Sequence, residues 1–282
     1  MDKIIVVGGF EFLGFYLSTA FLEKGIPVQC ILLENSEDPF LEEKRFAVGR
    51  NVNFSEIAIA DWPDSSFLNN GETLLIVSLY DLLLKKRSDH MIEQIEHAFG
   101  KVIALGESNG LSIVLALPMR LKLSEEKADE PLYHCYFNIM KKIRTRKIPF
   151  KQIYLPTLYG PWQPFEYLFQ QVLACEAKER REYRLCDREW VEDAIYIEDA
   201  VTEMISIIEN EQFQVCALKS SEKDHWKKCA ALLRIEPDVY AGMKTERTVL
   251  SEIPFVEVKQ RVRCEEGLIL QKQHLLRLLS GV

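Results

Sequence analysis

Short β-branched runs alternate with amphipathic stretches through the first half of this 282-residue chain. Ile4 to Val7 is an unbroken apolar run, the pattern of a strand covered on both faces. Phe12 to Lys24 places apolar residues at helical spacing and is closed by Gly25, and Val28 to Leu33 is a second strand-like run. Together they predict a βαβ unit. Phe54 to Ala60, Thr73 to Leu79, Ser112 to Leu117 and Gln152 to Leu155 read as further strands, each separated from the next by helical or loop sequence. Such alternation predicts an α/β fold built on a doubly wound parallel sheet, with a ligand crevice at the carboxyl ends of the strands. After Gly160 the pattern loosens. Phe165 to Arg181, Ala200 to Ile208 and Asp224 to Leu233 read as helices. The expected organisation is a main domain over 1–160, to which 193–220 returns, and a smaller, partly interleaved C-terminal lobe over 161–282.

Composition narrows the field. A hydrophobic fraction of 48% with 28% charged residues is that of an ordinary globular protein. The net charge of −8 would on average repel phosphates, so neither nucleic acid nor an anionic membrane is an expected partner. Seven cysteines are scattered without a C-x-x-C pair, and five histidines without an H-x-x-x-H pair. That pattern favours reduced thiols in a cytoplasmic setting and gives no local signature of a metal site. The chain enters its first strand directly after Met1-Asp2-Lys3, with nothing resembling a signal peptide, and no apolar run approaches the ~18 residues of a membrane span.

Behind the first strand lies Gly8-Gly-Phe-Glu-Phe-Leu-Gly14. A dinucleotide-binding turn uses glycines for a tight bend, for close approach of backbone N–H groups to a pyrophosphate, and for helix-strand packing. Gly8, Gly9 and Gly14 fit that use, with Phe12 and Leu13 opening the helix, but Glu11 stands where the middle glycine belongs. Two like charges about 4 Å apart repel by roughly 4 kcal/mol at an effective dielectric near 20. A carboxylate at a helix N-terminus also stabilises that helix, by roughly 0.3 to 1 kcal/mol. Glu11 is therefore expected to cap its own helix where a cofactor phosphate would otherwise sit.

Four stretches together resemble the extended short-chain dehydrogenase/reductase family, the NAD-dependent epimerase/dehydratase group that acts mostly on nucleotide sugars. They are the turn itself; Ala60-Asp61, similar to the aspartate that meets the adenine; Tyr154-Leu-Pro-Thr-Leu-Tyr-Gly-Pro161, similar to R-x-x-x-x-Y-G-P; and Arg188 to Ala200, similar to a spaced-out R-D-F-V-x-V-x-D. The tail, Phe213 to Leu233 and Glu265 to Leu268, resembles the family's closing strand-helix and terminal helix. The resemblance implies a Rossmann-type fold, with Gly8, Gly9, Glu11, Phe12, Leu13, Gly14, Glu34 and Asp61 at vestigial or weak cofactor-binding positions. It also implies a helix-pair homodimer of the kind the family forms.

The family's acid-base pair is Y-x-x-x-K, in which an ammonium stabilises a phenolate. Tyr133 occupies the tyrosine position and is the one residual catalytic candidate, but four residues on stands Phe137. Lys141 follows eight residues after Tyr133, about 12 Å along a helix. The strand that should end in a serine or threonine reads Ile113-Val-Leu-Ala-Leu-Pro-Met119, and Val77-Ser-Leu-Tyr80 replaces the small H-x-A-A stretch. The sequence therefore favours a catalytically degenerate relative that binds a small molecule, a nucleotide or a protein partner without a cofactor. The alternative is an active NAD- or NADP-dependent oxidoreductase, epimerase or dehydratase acting on a nucleotide sugar or related carbonyl compound.

Overall fold

The computed structural model describes residues 1–33, 38–62, 71–84, 89–106, 110–123, 131–177, 182–186, 189–210, 212–242 and 253–280. The chain forms two compact units, one of Met1–Leu117 with Ser124–Gln152, the other of Pro118–Leu123 with Ile153–Val282. In the first unit, strands β1 (Lys3–Val7), β2 (Val28–Leu32), β3 (Phe54–Ala58), β4 (Thr73–Ser78) and β5 (Leu111–Pro118) pair in parallel. With β6 (Phe150–Leu155), β9 (Val215–Ser220) and β10 (Phe255–Val258), the sheet runs in the order β10-β9-β6-β5-β4-β1-β2-β3. This is the expected α/β, doubly wound arrangement, mostly parallel and flanked by helices.

Apolar continuity dictates which strands sit inside. Every residue of β1 and of β4 is buried, whereas β3 at the sheet edge exposes Ser55 and Glu56. The strand order reverses between β1 and β4, so the two strands that flank the switch point are also the two most completely enclosed.

Helix α1 (Phe12–Glu23) buries Phe12, Leu13, Phe15, Leu17, Phe21 and Leu22 and packs on β1 and β2. It can approach that closely because position 14 has no side chain. A Cβ on Gly14 would lie 2.0 Å from the carbonyl oxygen of Gly8. The unit is completed by α2 (Leu41–Val48), α3 (Leu79–Leu84), α4 (Asp89–Gly106) and α6 (Pro131–Thr145). Asn138 Nδ2 and Lys142 Nζ on α6 donate to the side chain and carbonyl of Glu96 on α4, at 3.0 and 3.1 Å.

The second unit holds α5 (Met119–Leu123), a short parallel pair of β7 (Thr157–Tyr159) and β8 (Ala194–Tyr196), and helices α7 (Leu168–Ala177), α8 (Ile197–Glu209), α9 (His225–Leu232) and α10 (Cys264–Ser280). Its core gathers Tyr159, Phe169, Tyr196, Trp226, Cys229, Cys264 and Leu268. Helix α7 begins at Leu168 rather than at the Phe165 expected from the apolar pattern. Residues 165–167 form a turn, and the buried Glu189 carboxylate accepts from the Leu168 N–H at 2.9 Å, fixing the first turn there. Helix α8 begins three residues before the expected Ala200, at Ile197. Among the described residues, no helix is long and apolar enough to cross a membrane.

The contrast between two glycines tests the packing account. Gly14→Ala drives a methyl into backbone and is expected to cost roughly 3 kcal/mol or more in chemical denaturation. Gly25 has φ +75° and open space for 4 Å around the point where a methyl would stand, so Gly25→Ala should lose only about 1 kcal/mol, the strain of a left-handed alanine.

Candidate functional site

At the switch point the chain leaves β1 through Gly8, at φ +78°, and enters α1 at Phe12. Gly9 lies against β2, where a Cβ would fall 2.3 Å from the Cys30 sulfur. The first turn of any helix presents backbone N–H groups without helical partners. Here two of them have a specific acceptor. Leu13 N–H donates to Asp81 Oδ1 and Gly14 N–H to Asp81 Oδ2, each at 3.1 Å. Asp81 reaches them from α3, directly after β4, and its Oδ2 also accepts from the Ser78 hydroxyl at 2.7 Å.

The helix is thus capped by an acid, but a different acid from the one the sequence suggested. Glu11 is the residue at the N-cap position, buried and extended, and its side chain makes no capping bond. Its Cγ instead lies over Gly8, 3.4 Å from where a Cβ would be. The physical reason is occupancy. An N-cap side chain ordinarily accepts from the N2 or N3 amide, but here both are already taken by Asp81, which comes from the helix after β4 and accepts two at once.

Two buried carboxyl groups therefore share the start of α1. Burial pushes the Asp81 pKa up from 3.8 to about 6, and the Glu11 charge adds to the rise, against the lowering effect of the Ser78, Leu13 and Gly14 hydrogen bonds. A buried ammonium also meets the turn. Lys44 Nζ on α2 donates to the Phe10 carbonyl at 2.8 Å and pairs with Asp38 Oδ2 at 2.6 Å. A pyrophosphate bound in the usual way requires the first-turn amides of this helix. The amides of Leu13 and Gly14 are already engaged by a carboxylate, so the residues present do not fit that group without displacing Asp81.

The other sequence candidates are spread through the first unit. Asp61 is exposed in the turn after β3, where its N–H donates to the Ala58 carbonyl. Glu34 lies outside the described residues. Tyr133 is partly buried near the start of α6, and Phe137, in the place of the family's lysine, is 47% exposed. Lys141 is exposed and Lys142 is held on Glu96. Leu79 and Tyr80 are both buried at the start of α3.

Asp81 and Lys44 went unrecognised in the sequence. Asp81 follows directly on the Val77-Ser-Leu-Tyr80 stretch that stands in place of H-x-A-A, so a charged residue just past that stretch was the available signal. Lys44 sits in a charged helix and offered none, because its burial follows only from the tertiary fold.

No protein-family model matches the chain, and no curated protein sequence matches it. Solved structures do. UDP-glucuronic acid 4-epimerase from Bacillus cereus in complex with NAD superposes with a TM-score of 0.72 at 14% identity, over 99% of this chain and 98% of the other. The NAD-dependent NDP-hexosamine 5,6-dehydratase TunA, of tunicamycin biosynthesis, gives 0.66 at 14% identity, over 98% of each chain. UDP-N-acetylglucosamine 4-epimerase from Methanobrevibacter ruminantium gives 0.66 at 11% identity, over 100% of this chain and 99% of the other. From end to end, the chain has the fold of the NAD-dependent epimerases and dehydratases of nucleotide sugars.

Proposed function

We propose that this protein is a non-catalytic descendant of the nucleotide-sugar epimerase/dehydratase fold, and that it acts by binding a small molecule, a nucleotide or a protein partner. The supporting observation is the Asp81 carboxylate on the Leu13 and Gly14 amides, with Glu11 buried beside it. A dinucleotide would have to expel one buried acid and meet the charge of another. The phenylalanine at 137 and the apolar end of β5 support the same reading, since neither supplies a proton relay for Tyr133. A second reading, an active NAD- or NADP-dependent enzyme, is favoured by the NAD present in structures of the same fold.

One titration separates the two. NAD⁺, NADH and NADP⁺ should leave the thermal midpoint of the wild type unchanged, with UDP-sugars titrated alongside as a test of nucleotide binding without the dinucleotide. A ligand at 100 times its Kd would add about 2.7 kcal/mol, which a melting curve resolves easily. The double substitution Glu11→Gly, Asp81→Ala frees the turn and is expected to gain stabilisation by NAD⁺. Saturable stabilisation of the wild type by a dinucleotide at micromolar concentration would establish the second reading instead.

The acid pair also has a pH signature. Folding raises the Asp81 pKa from 3.8 to about 6, so the folded protein holds this proton more tightly than the unfolded chain does. The stability so contributed is complete below the unfolded value and is lost as pH rises through about 6. Relative to Asp81→Asn, the wild type should gain up to about 3 kcal/mol on acidification from about pH 7 to about pH 4. Urea denaturation of both proteins at both pH values checks this, and parallel pH dependences would remove Asp81 from the account.

A further inference from the structure

In the core of the second unit, four donor-bearing side chains from three elements converge. His225 and Cys229 lie one turn apart on α9, Cys264 is the first residue of α10, and Tyr159 ends β7. A ring nitrogen of His225 and the two sulfurs all lie within 4.8 Å of one another. The Tyr159 hydroxyl is 3.2 Å from His225 Nε2, beside both thiols. All four residues are buried, none more than 4% exposed. We propose that these four residues form a structural site for a zinc ion, with Nε2 of His225, the sulfurs of Cys229 and Cys264, and the Tyr159 oxygen as its ligands.

The outer contacts set the histidine up as a ligand. Ser220 Oγ donates to the Glu222 carbonyl at 3.2 Å and accepts from the Glu222 N–H at 2.9 Å. The same hydroxyl lies 2.8 Å from His225 Nδ1. In the tautomer protonated on Nδ1, that nitrogen donates to Ser220 Oγ and Nε2 presents its lone pair to the cluster. Fixing a ligand imidazole through its other nitrogen is the usual arrangement around a bound metal.

Charge and spacing agree with a dication. Two thiolates neutralise Zn²⁺, so a site made of them with a neutral imidazole and a neutral phenol carries no net charge into the core. Cys264 begins a helix, where the backbone dipole favours a thiolate. Tetrahedral zinc, with Zn–S near 2.3 Å and Zn–N near 2.0 Å, places its ligand atoms roughly 3.5 to 3.8 Å apart, a small contraction from the present spread. A surface cleft lined by Glu222, Lys228, Gln260 and Arg263 includes Cys264 in its wall. Bound there, the ion would join α9, α10 and β7. Binding at neutral pH releases two protons per ion, one from each thiol.

The test uses the full chain, expressed with added zinc and purified under reducing conditions. Elemental analysis should find about one zinc per chain. Cys229→Ser and Cys264→Ser should each lose at least nine-tenths of it, while Cys175→Ser, at a thiol outside the cluster, keeps it. Replacing zinc with cobalt in the wild type should produce the intense visible bands and thiolate charge-transfer absorption of a tetrahedral site, a readout that holds even where a serine variant fails to fold. A wild type with less than a tenth of an equivalent of zinc and no such cobalt spectrum would overturn the proposal. So would a Cys229–Cys264 disulfide in the protein as purified, seen as a two-dalton loss, because the sulfurs would then be unable to ligate.

Discussion

One interaction governs how the first unit is to be understood, the Asp81 carboxylate on the first-turn amides of α1. A helix N-terminus enclosed at a sheet switch point has backbone donors that water cannot reach, and each unsatisfied one would cost roughly 1 to 3 kcal/mol. In a dinucleotide-binding protein the ligand's phosphate meets that demand. Here the chain meets it with a side chain delivered from the end of β4, and the closeness of Gly14 to Gly8 is what brings the helix into range. Removing the Asp81 side chain would leave two buried amides seeking an acceptor.

The second unit repeats the device away from any dinucleotide turn. Glu189 accepts from Leu168 N–H and Trp226 Nε1. Asp193 accepts from the N–H groups of Ala194 and Ser220, and Asp199 from those of Arg261 and Val262. Burial raises Glu189 to about 7 and Asp193 to about 6, as it does Asp81, with the hydrogen bonds pulling each back part of the way. Acids used in this way stabilise loops and helix starts that have no other acceptor. At Asp81, Glu189 and Asp193 they also make those joints sensitive to ionisation, since each of these three holds its proton more firmly in the folded state than in the unfolded one.

The fold was legible in the sequence because it rests on many weak, redundant signals. The apolar continuity of Ile4 to Val7 and of Thr73 to Val77 was enough to place the central strands, and loss of any one residue would not have changed the assignment. Helix limits were less legible. The start of α7 depends on Glu189, a residue 21 positions further along the chain. The site was legible only in part. Glu11 could be seen to obstruct a phosphate, but local propensity made it the cap of its own helix, and only the packing of β4 beside β1 shows Asp81 to be the acceptor. The cluster around Cys264 was hidden for a similar reason. Searching for C-x-x-C and H-x-x-x-H passes over the H-x-x-x-C of His225 and Cys229, and sequence spacing alone does not bring Cys264 to them.

On the proposed reading, the competition between Asp81 and a dinucleotide at the α1 turn is unequal from the start. The carboxylate is tethered by its own backbone within reach of the amides, so its effective concentration is set by geometry, whereas a free cofactor must supply its concentration from solution. Expulsion would also leave Asp81 near Glu11 in a buried space, where one of the two must either take up a proton or find a new partner. On that reading, a cofactor's contacts with the rest of the crevice would have to outweigh the sum of the lost capping bonds, the reburial of an acid and its own repulsion from Glu11.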